Sequence, residues 1–308
     1  MKTKQFSYLW PMRGVFRLSG PSAERYLQGR CTQDVKAVGE SQSKDALILS
    51  PQGKIEGKFS INRSADGFFI LTDPLNSNNP VEDFTASFLK FKVADQFEFT
   101  DVSSEFSVLS LHNYSETEIE SFKNQFVKEI GSEIPVSYFK RENHFGSECL
   151  VLIGIDPTKP VAESNLEKIN EIFKPVSANE FLRFRIENLI PLMGVDVDKT
   201  VLAPEMDLES FISLGKGCYA GQEVVEMATA RGRPNRKFVQ YKSTSECPKG
   251  VEIFDVVSAD GSKIGNVTSS INSAEGFLGM GFLKTKAIDS NEFYLAASGE
   301  NFKIELIK

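Results

Sequence analysis

The alternation of apolar and polar residues changes period several times along the chain. Between Asp45 and Asp73, "DALILS", "IEGKFSINR" and "FFILTD" form three β-rich runs separated by Pro-Gln-Gly-Lys and Ala-Asp-Gly turn signals, which predicts a meander. On either side the spacing turns helical. After a short leader, "SGPSAERYLQGR" (Ser19 to Arg30) predicts a helix, with Ser19 or Ser22 placed to cap its exposed N–H groups, Pro21 near the first turn and Gly29 near the exit. "PVEDFTASFLKFK" (Pro80 to Lys92) sets Phe84, Phe88 and Phe91 on one helical face. Strands are then expected near Gln96–Val102 and Ser107–Leu111, a helix over Glu116–Ile130, strands near Ile134–Lys140 and Cys149–Ile155, a helix near Val161–Phe173 and another over Asn179–Leu189. Hairpins mixed with helices favour α+β subdomains over a purely alternating parallel sheet.

Beyond Lys237 only strand signals remain. Short apolar runs from "RKFVQYKS" to "NFKIELIK" are divided by Pro-Lys-Gly, Ala-Asp-Gly and Ser-Gly-Glu turns, the mark of a small barrel or sandwich. We therefore expect a terminal domain over residues 236–308 behind an α+β region over residues 1–235. A chain of 308 residues exceeds the size at which single cores stop growing, so two or three packed units are expected. No apolar run approaches the ~18 residues that cross a bilayer, and the first residues carry no signal or transit pattern. A cytoplasmic chain with no membrane partner is the expectation.

Composition narrows the chemistry. A net charge of −7 and a pI near 5.2 argue against a general polyanion binder, so direct nucleic-acid binding is not expected. Cys31, Cys149, Cys218 and Cys247 form no CxxC pair, which fits neither a zinc ribbon nor a secreted disulfide framework. His112 and His144 are the only histidines, too few for a His-rich metal site, and they give a His-based triad little support. "PQGKIEGK" lacks the spacing of a phosphate loop.

The densest chemistry is "LGKGCYAGQEVVEMATARGRPNRK", from Leu214 to Lys237. Cys218 stands between Gly217 and Tyr219. Lys216 is placed to hold a thiolate against protonation, and Gly217 and Gly221 leave the backbone room for an open turn. The same spacing suits a small buried hydrophobe at a helix start. Gln222 and Glu223 follow, at positions that also suit a helix surface. Arg231, Arg233, Arg236 and Lys237, interrupted by Gly232 and Pro234, make a basic loop that stays solvated or meets a carboxylate or phosphate. Upstream, Glu187 in "FRIEN" and Glu205 in "APEMDLES" fit a helix surface, or can accept two parallel hydrogen bonds from the amidine-like edge of a pterin or guanine. Cys31, Cys149 and Cys247 read as core or incidental thiols.

"KGCYAGQE" (Lys216 to Glu223) resembles the K-G-C-Y-x-G-Q-E signature of the YgfZ-type folate-binding proteins, in the aminomethyltransferase (glycine cleavage T-protein) superfamily. "LSGPSAERYLQGRCTQDV" resembles that family's N-terminal segment, "LSPQGKIEGKFSI" its D-P-K-G-K turn and strands, and "FRIENLIPLMGVDV" with "LAPEMDL" its approach to the signature. Met227 departs from the pattern, standing where the family often has arginine, although Arg231 keeps a following Arg-Gly pair; Pro21-Ser22 replaces Asp-Ala.

The resemblance implies an α+β fold of two ferredoxin-like α+β subdomains plus a C-terminal β-barrel, arranged around a central channel that holds tetrahydrofolate or a derivative. It also implies a role in making or repairing iron–sulfur enzymes, including those that thiolate tRNA, with Cys218 as the functional thiol and iron–sulfur client or assembly proteins as partners. Glu187 is then the first choice for the pterin contact and Glu205 the second. Lys216, Tyr219, Gln222, Glu223 and Arg231 complete the expected cofactor surroundings. One thiol cannot hold a [2Fe–2S] or [4Fe–4S] cluster alone, so an iron–sulfur cluster at Cys218 would be transient and shared. The rival expectation is one-carbon transfer onto tetrahydrofolate, as the T-protein performs with an aspartate; Asp73 and Asp83 are the candidates, and neither has the Asn-Ala context of that acid.

Overall fold

In the computed structural model, which describes residues 4–130, 135–143, 146–154, 169–206, 209–231, 234–244, 254–273, 276–290, 292–297 and 300–307, the chain forms two units. One comprises Met1–Ile48, Glu56–Ser177 and Glu209–Ala220; the other comprises Leu49–Ile55, Ala178–Leu208 and Gly221–Lys308.

The first unit carries two sheets. Strands β1 (Phe6–Leu9), β2 (Arg13–Ser19), β3 (Ser43–Leu49), β4 (Ile55–Ser64), β5 (Gly67–Pro74), β6 (Glu98–Asp101), β7 (Phe106–His112), β8 (Val136–Asn143) and β9 (Gly146–Gly154) sort into orders β3-β4-β5-β2-β6 and β1-β7-β9-β8. Period-two alternation gives each sheet two different faces. Phe68 and Ile70 of β5, with Phe16, Leu18 and Phe59, pack under helices α1 (Ala23–Arg30) and α2 (Val81–Leu89). Their neighbours Phe69 and Leu71 point the other way, into a core shared with Val108, Leu150 and Leu152 of the second sheet. The second sheet repeats the device: Cys149, Val151 and Ile153 pack with α3 (Glu116–Ile130) and with the helical residues 169–173.

A buried charge cluster joins the two sheets. Arg141 of β8 donates from Nε (2.8 Å) and from its terminal nitrogen (2.6 Å) to Glu148, its cross-strand partner on β9, and from its other terminal nitrogen to Asp45 of β3. Beside them His112 stacks on Phe6 with centroids 4.3 Å apart, its Nε2 lying 3.0 Å from the Ser110 hydroxyl. Burial lowers the His112 pKa, with Glu148 pulling against it. Burial alone would raise the Glu148 pKa, but Arg141 and then His112 outweigh it and hold the carboxyl low.

The second unit is built on a closed barrel of strands β10 (Arg236–Ser243), β11 (Phe254–Val257), β12 (Lys263–Ser273), β13 (Gly276–Lys284), β14 (Phe293–Ala297) and β15 (Glu300–Leu306), in the order β10-β13-β12-β11-β14-β15. Pairing of Tyr241 with Leu306 and of Lys242 with Glu305 closes it, which decides between the barrel and the sandwich. Val239, Tyr241, Val256, Val267, Leu283 and Leu295 fill its interior. Helix α4 (Ala178–Glu187) lies against β12 and β13, and α5 (Gln222–Arg231) precedes the barrel. Asp196, in the loop after α4, accepts from Arg185, from the Leu192 N–H (2.9 Å) and from the hydroxyls of Thr268 (2.7 Å) and Ser269 (2.6 Å).

Several elements differ from the sequence pattern. The leader contains β1 and β2, and β2 lies between β5 and β6 with Val15, Phe16 and Leu18 buried. Helix α1 starts only at Ala23: Ser19 ends β2, and Ser22 occupies the cap position without a side-chain cap bond. Helix α2 stops at Leu89, so Phe91 leaves the buried face, is 47% exposed and meets the Arg30 guanidinium 5.1 Å from its ring centroid. The helix expected near Val161–Phe173 falls largely on residues 155–168, outside the described residues, as do His144, Gly232, Arg233 and Cys247. Among the described residues, no helix is long and apolar enough to cross a membrane.

Candidate functional site

In the first unit the segment that ends in Cys218 is fastened to the stretch just after α1. The Thr32 hydroxyl donates to Phe211 O at 2.6 Å, the Ser213 N–H donates to Thr32 O at 3.0 Å, and the Gln33 amide donates to Ser210 O at 2.9 Å while accepting from the Ser213 hydroxyl. Gly215 and Gly217 then take left-handed backbone, with φ +75° and +104°. Glycine adopts that region without steric cost, so the chain can turn Lys216 towards α1 and return outward.

Lys216 finds three acceptors there. Its ammonium donates to the carbonyls of Gln28, Cys31 (2.6 Å) and Gln33 (3.1 Å), and it lies 5.2 Å from the Tyr219 ring centroid. An ammonium has three donors, so all are filled. Gln28 and Cys31 stand at the C-terminal end of α1, where carbonyls lack helical partners and the helix dipole favours a cation. Burial lowers the Lys216 pKa, with Cys31 and Asp34 opposing it. The lysine that the sequence offers to the thiolate or the cofactor is thus committed to α1. Cys218, two residues on, is exposed, whereas Cys31 and Cys149 are buried. Burial raises the Cys31 thiol pKa and pushes that of Cys149 up to about 12.

Asp73 and Asp83 lie elsewhere in this unit. Both oxygens of Asp73 accept from the Lys58 ammonium, at 2.8 and 3.0 Å, and the pair is buried. Asp83 is exposed in the first turn of α2.

The remaining candidates belong to the second unit. Glu187, the last residue of α4, accepts from Arg183 Nε at 2.8 Å. Both line a cavity of about 590 Å³ whose further walls include Gln240 and Lys242 of β10, Ile271 of β12 and Phe277 of β13. That volume is within the ~300–1,000 Å³ of ordinary small-molecule sites. Glu205 is not one of its walls. It is 7% exposed and accepts from the Leu202 N–H at 3.0 Å and from Arg236 Nε at 2.9 Å, so one base of the expected basic loop meets a carboxylate of its own chain. Gln222 donates to Glu226 at 2.7 Å within α5, and Glu223 and Met227 are exposed on the same helix. Arg231 closes that helix. Gly221 has φ +83°, and a Cβ there would stand 2.5 Å from the Ser50 carbonyl oxygen; the "PQGK" turn therefore requires a glycine ahead of α5.

The structure brings Lys216 to Tyr219, Glu187 to the barrel cavity and Glu205 to Arg236. Sequence reasoning missed Gln28, Thr32 and Gln33 as site-building residues. The usable signal was a run of polar residues directly after a helix exit, with Thr32 and Gln33 almost fully buried.

No family model matches the chain. The tRNA-modifying protein YgfZ of Edwardsiella ictaluri is 25% identical over 238 residues, which is 74% of this chain and 68% of that protein. Relatives in Hamiltonella defensa and Escherichia coli, each 24% identical, carry the same name. The glycine cleavage system aminomethyltransferase T of Bartonella henselae matches the fold with a TM-score of 0.76 at 16% identity, over all of this chain and 86% of that one. The chain is similar in sequence to proteins named YgfZ and shares the fold of an aminomethyltransferase T.

A chain with this geometry should show one fast thiol among those described. Brief iodoacetamide treatment of the native protein, read by mass spectrometry, is expected to label Cys218 well before Cys31 and Cys149, because a buried protonated thiol is a poor nucleophile. Labelling of Cys31 or Cys149 ahead of Cys218 would contradict the placement of the loop.

Proposed function

We propose that this chain is a tetrahydrofolate-binding accessory factor that supports iron–sulfur proteins, tRNA-modifying enzymes among them, in the cytoplasm, with Cys218 as its working thiol. The reading is carried by the exposure of Cys218 on a loop held by fully engaged partners, set against the burial of Cys31 and Cys149. The relatives named tRNA-modifying proteins support the tRNA side of it. An iron–sulfur cluster is cargo in this reading: one thiol is one ligand, and the others come from the client, an assembly protein or small thiols.

The barrel cavity supports folate as the ligand. Tetrahydrofolate is flat, has an amidine-like edge and ends in carboxylates; the walls offer the Glu187 carboxylate, apolar surface from Ile271 and Phe277, and the cations Arg183 and Lys242. When bound it supplies a pterin able to carry one-carbon units or give up electrons. We put the pterin at Glu187 beside the barrel, in place of the central channel that the resemblance implies. Glu205 leaves the set, because it does not line the cavity and its buried carboxylate is held by both Leu202 and Arg236.

Calorimetry with tetrahydrofolate tests this. Loss of a hydrogen bond to a charged group costs about 1.5–3 kcal/mol, so Glu187→Ala is expected to weaken binding by roughly ten- to a hundredfold. Unchanged affinity in Glu187→Ala would remove the cavity from the account.

The second reading, one-carbon transfer, has a relative in its favour: an aminomethyltransferase of Alkaliphilus oremlandii is 26% identical over 283 residues, 84% of this chain and 72% of that protein. The local chemistry speaks against it. A carboxylate held on both oxygens by a buried lysine, as Asp73 is, makes a poor partner for a reacting folate nitrogen, and Asp83 sits on a helix surface.

A further inference from the structure

We infer that Lys216 is a positioning residue for Cys218, fixing the thiol loop on the C-terminal end of α1 and acting on the sulfur through the backbone instead of through its charge. The inference rests on the reading of Cys218 as the working thiol. Three observations carry it. The ammonium is saturated by the carbonyls of Gln28, Cys31 and Gln33, which leaves no donor for the sulfur. The tie is reciprocal: the Gln28 amide donates to the Lys216 carbonyl at 3.0 Å, while its oxygen accepts the Val35 N–H at 2.8 Å, so the loop and the exit of α1 hold each other. Finally, Gly215 and Gly217 have open space where a Cβ would stand, so packing does not hold the loop at these two positions, and beyond the bonds of Thr32 and Gln33 to residues 210–213 the loop is tied through Lys216.

A charge acting directly and a charge acting as an anchor leave different traces. A cation placed against a thiolate lowers its pKa, and removing it moves the thiol titration up by about one unit or more. Removing an anchor frees the loop and leaves that titration nearly where it was.

The test uses the full-length chain in four forms: wild type, Lys216→Met, Gln28→Ala and Cys218→Ala. Lys216→Met keeps most of the side-chain stem and deletes the three donors; Gln28→Ala cuts the second tie and keeps the ammonium. Lys216→Met is expected to raise amide hydrogen exchange across residues 213–220 by about tenfold or more, the scale of losing hydrogen bonds to a charged group, and Gln28→Ala by about two- to tenfold, the scale of losing a neutral one. Both should leave the pH midpoint of Cys218 alkylation within less than one unit of wild type and lower the support of iron–sulfur enzymes in a deletion strain. A rise of a unit or more in Lys216→Met alone, with loop exchange unaltered, overturns the inference in favour of direct electrostatics. Unaltered exchange with undiminished support, while Cys218→Ala is inactive, overturns it and spares the thiol reading. Full support by Cys218→Ala overturns the thiol reading and the inference with it. Should Lys216→Met lose its fold by circular dichroism, Gln28→Ala decides whether the tie to α1 holds the loop: unaltered exchange across residues 213–220 in that variant overturns the inference.

Discussion

Arg141→Met should cost about 3–5 kcal/mol of folding stability, measured by urea unfolding at neutral pH, because it leaves two carboxylates without their cation in the space between two sheets. Glu148 has a side-chain exposure of 1% and Asp45 of 18%, so water replaces little of what is lost. Domains of this kind rest on a total of about 5–15 kcal/mol, and a loss of this size is close to unfolding. Lys123→Ala is the contrast: its partner Glu120 is 58% exposed, and such surface pairs contribute about 0–1 kcal/mol. Equal effects in the two variants would contradict the burial assigned to Arg141. The same cluster sets an acid limit. The fold holds His112 below its ordinary pKa of about 6.5, so its contribution is complete above that value and is lost as pH falls through the lower folded value. Glu148 follows at lower pH, because its stabilisation is present above the usual carboxylate range and lost below it.

Asp196→Ala should cost a similar amount, about 3–5 kcal/mol, for a related reason in the other unit. Its carboxylate has a side-chain exposure of 0%, and it is the acceptor for Arg185, Thr268, Ser269 and the Leu192 N–H. Removing it leaves a buried guanidinium and the buried Ser269 hydroxyl short of a partner, each costing about 1–3 kcal/mol, while Thr268 keeps the Met280 carbonyl at 3.3 Å. Asp196→Asn keeps an acceptor oxygen for part of the set and should lie between wild type and alanine. An alanine variant within about 1 kcal/mol of wild type would mean that the junction of α4 with β12 is held by apolar packing instead.

The elements legible in the sequence are those whose side-chain period and turn chemistry agree. Strand β10 coincides with "RKFVQYKS", and the meander of β3, β4 and β5 lies where the Pro-Gln-Gly-Lys and Ala-Asp-Gly turns place its corners. Strands β1 and β2 were hidden because Pro11 and Gly14 interrupt the apolar alternation of "FSYLWPMRGVFRLS", although tertiary pairing sets both in sheets. Phe91 has helical spacing but follows the last turn of α2, a boundary that spacing alone does not mark. At the site, the glycines and the thiol of "KGCYAGQE" were readable as an open turn. The partners of Lys216 were not, since its three acceptors lie 183 to 188 residues away in the chain. Glu205 and Arg236 likewise look like ligand groups in isolation and are each other's partners in the fold.

The central claim is that Cys218 does chemistry for iron–sulfur proteins and is not there to fold the chain. The measurement is the activity of iron–sulfur enzymes in a strain lacking the protein, complemented with wild type or with Cys218→Ala, alongside circular dichroism and folate calorimetry on the purified variant. The account predicts that Cys218→Ala keeps its fold and its folate affinity, as an exposed side chain allows, while enzyme activity stays at the level of the deletion strain. Wild-type enzyme activity with Cys218→Ala, or loss of that activity only because the variant unfolds, would contradict it.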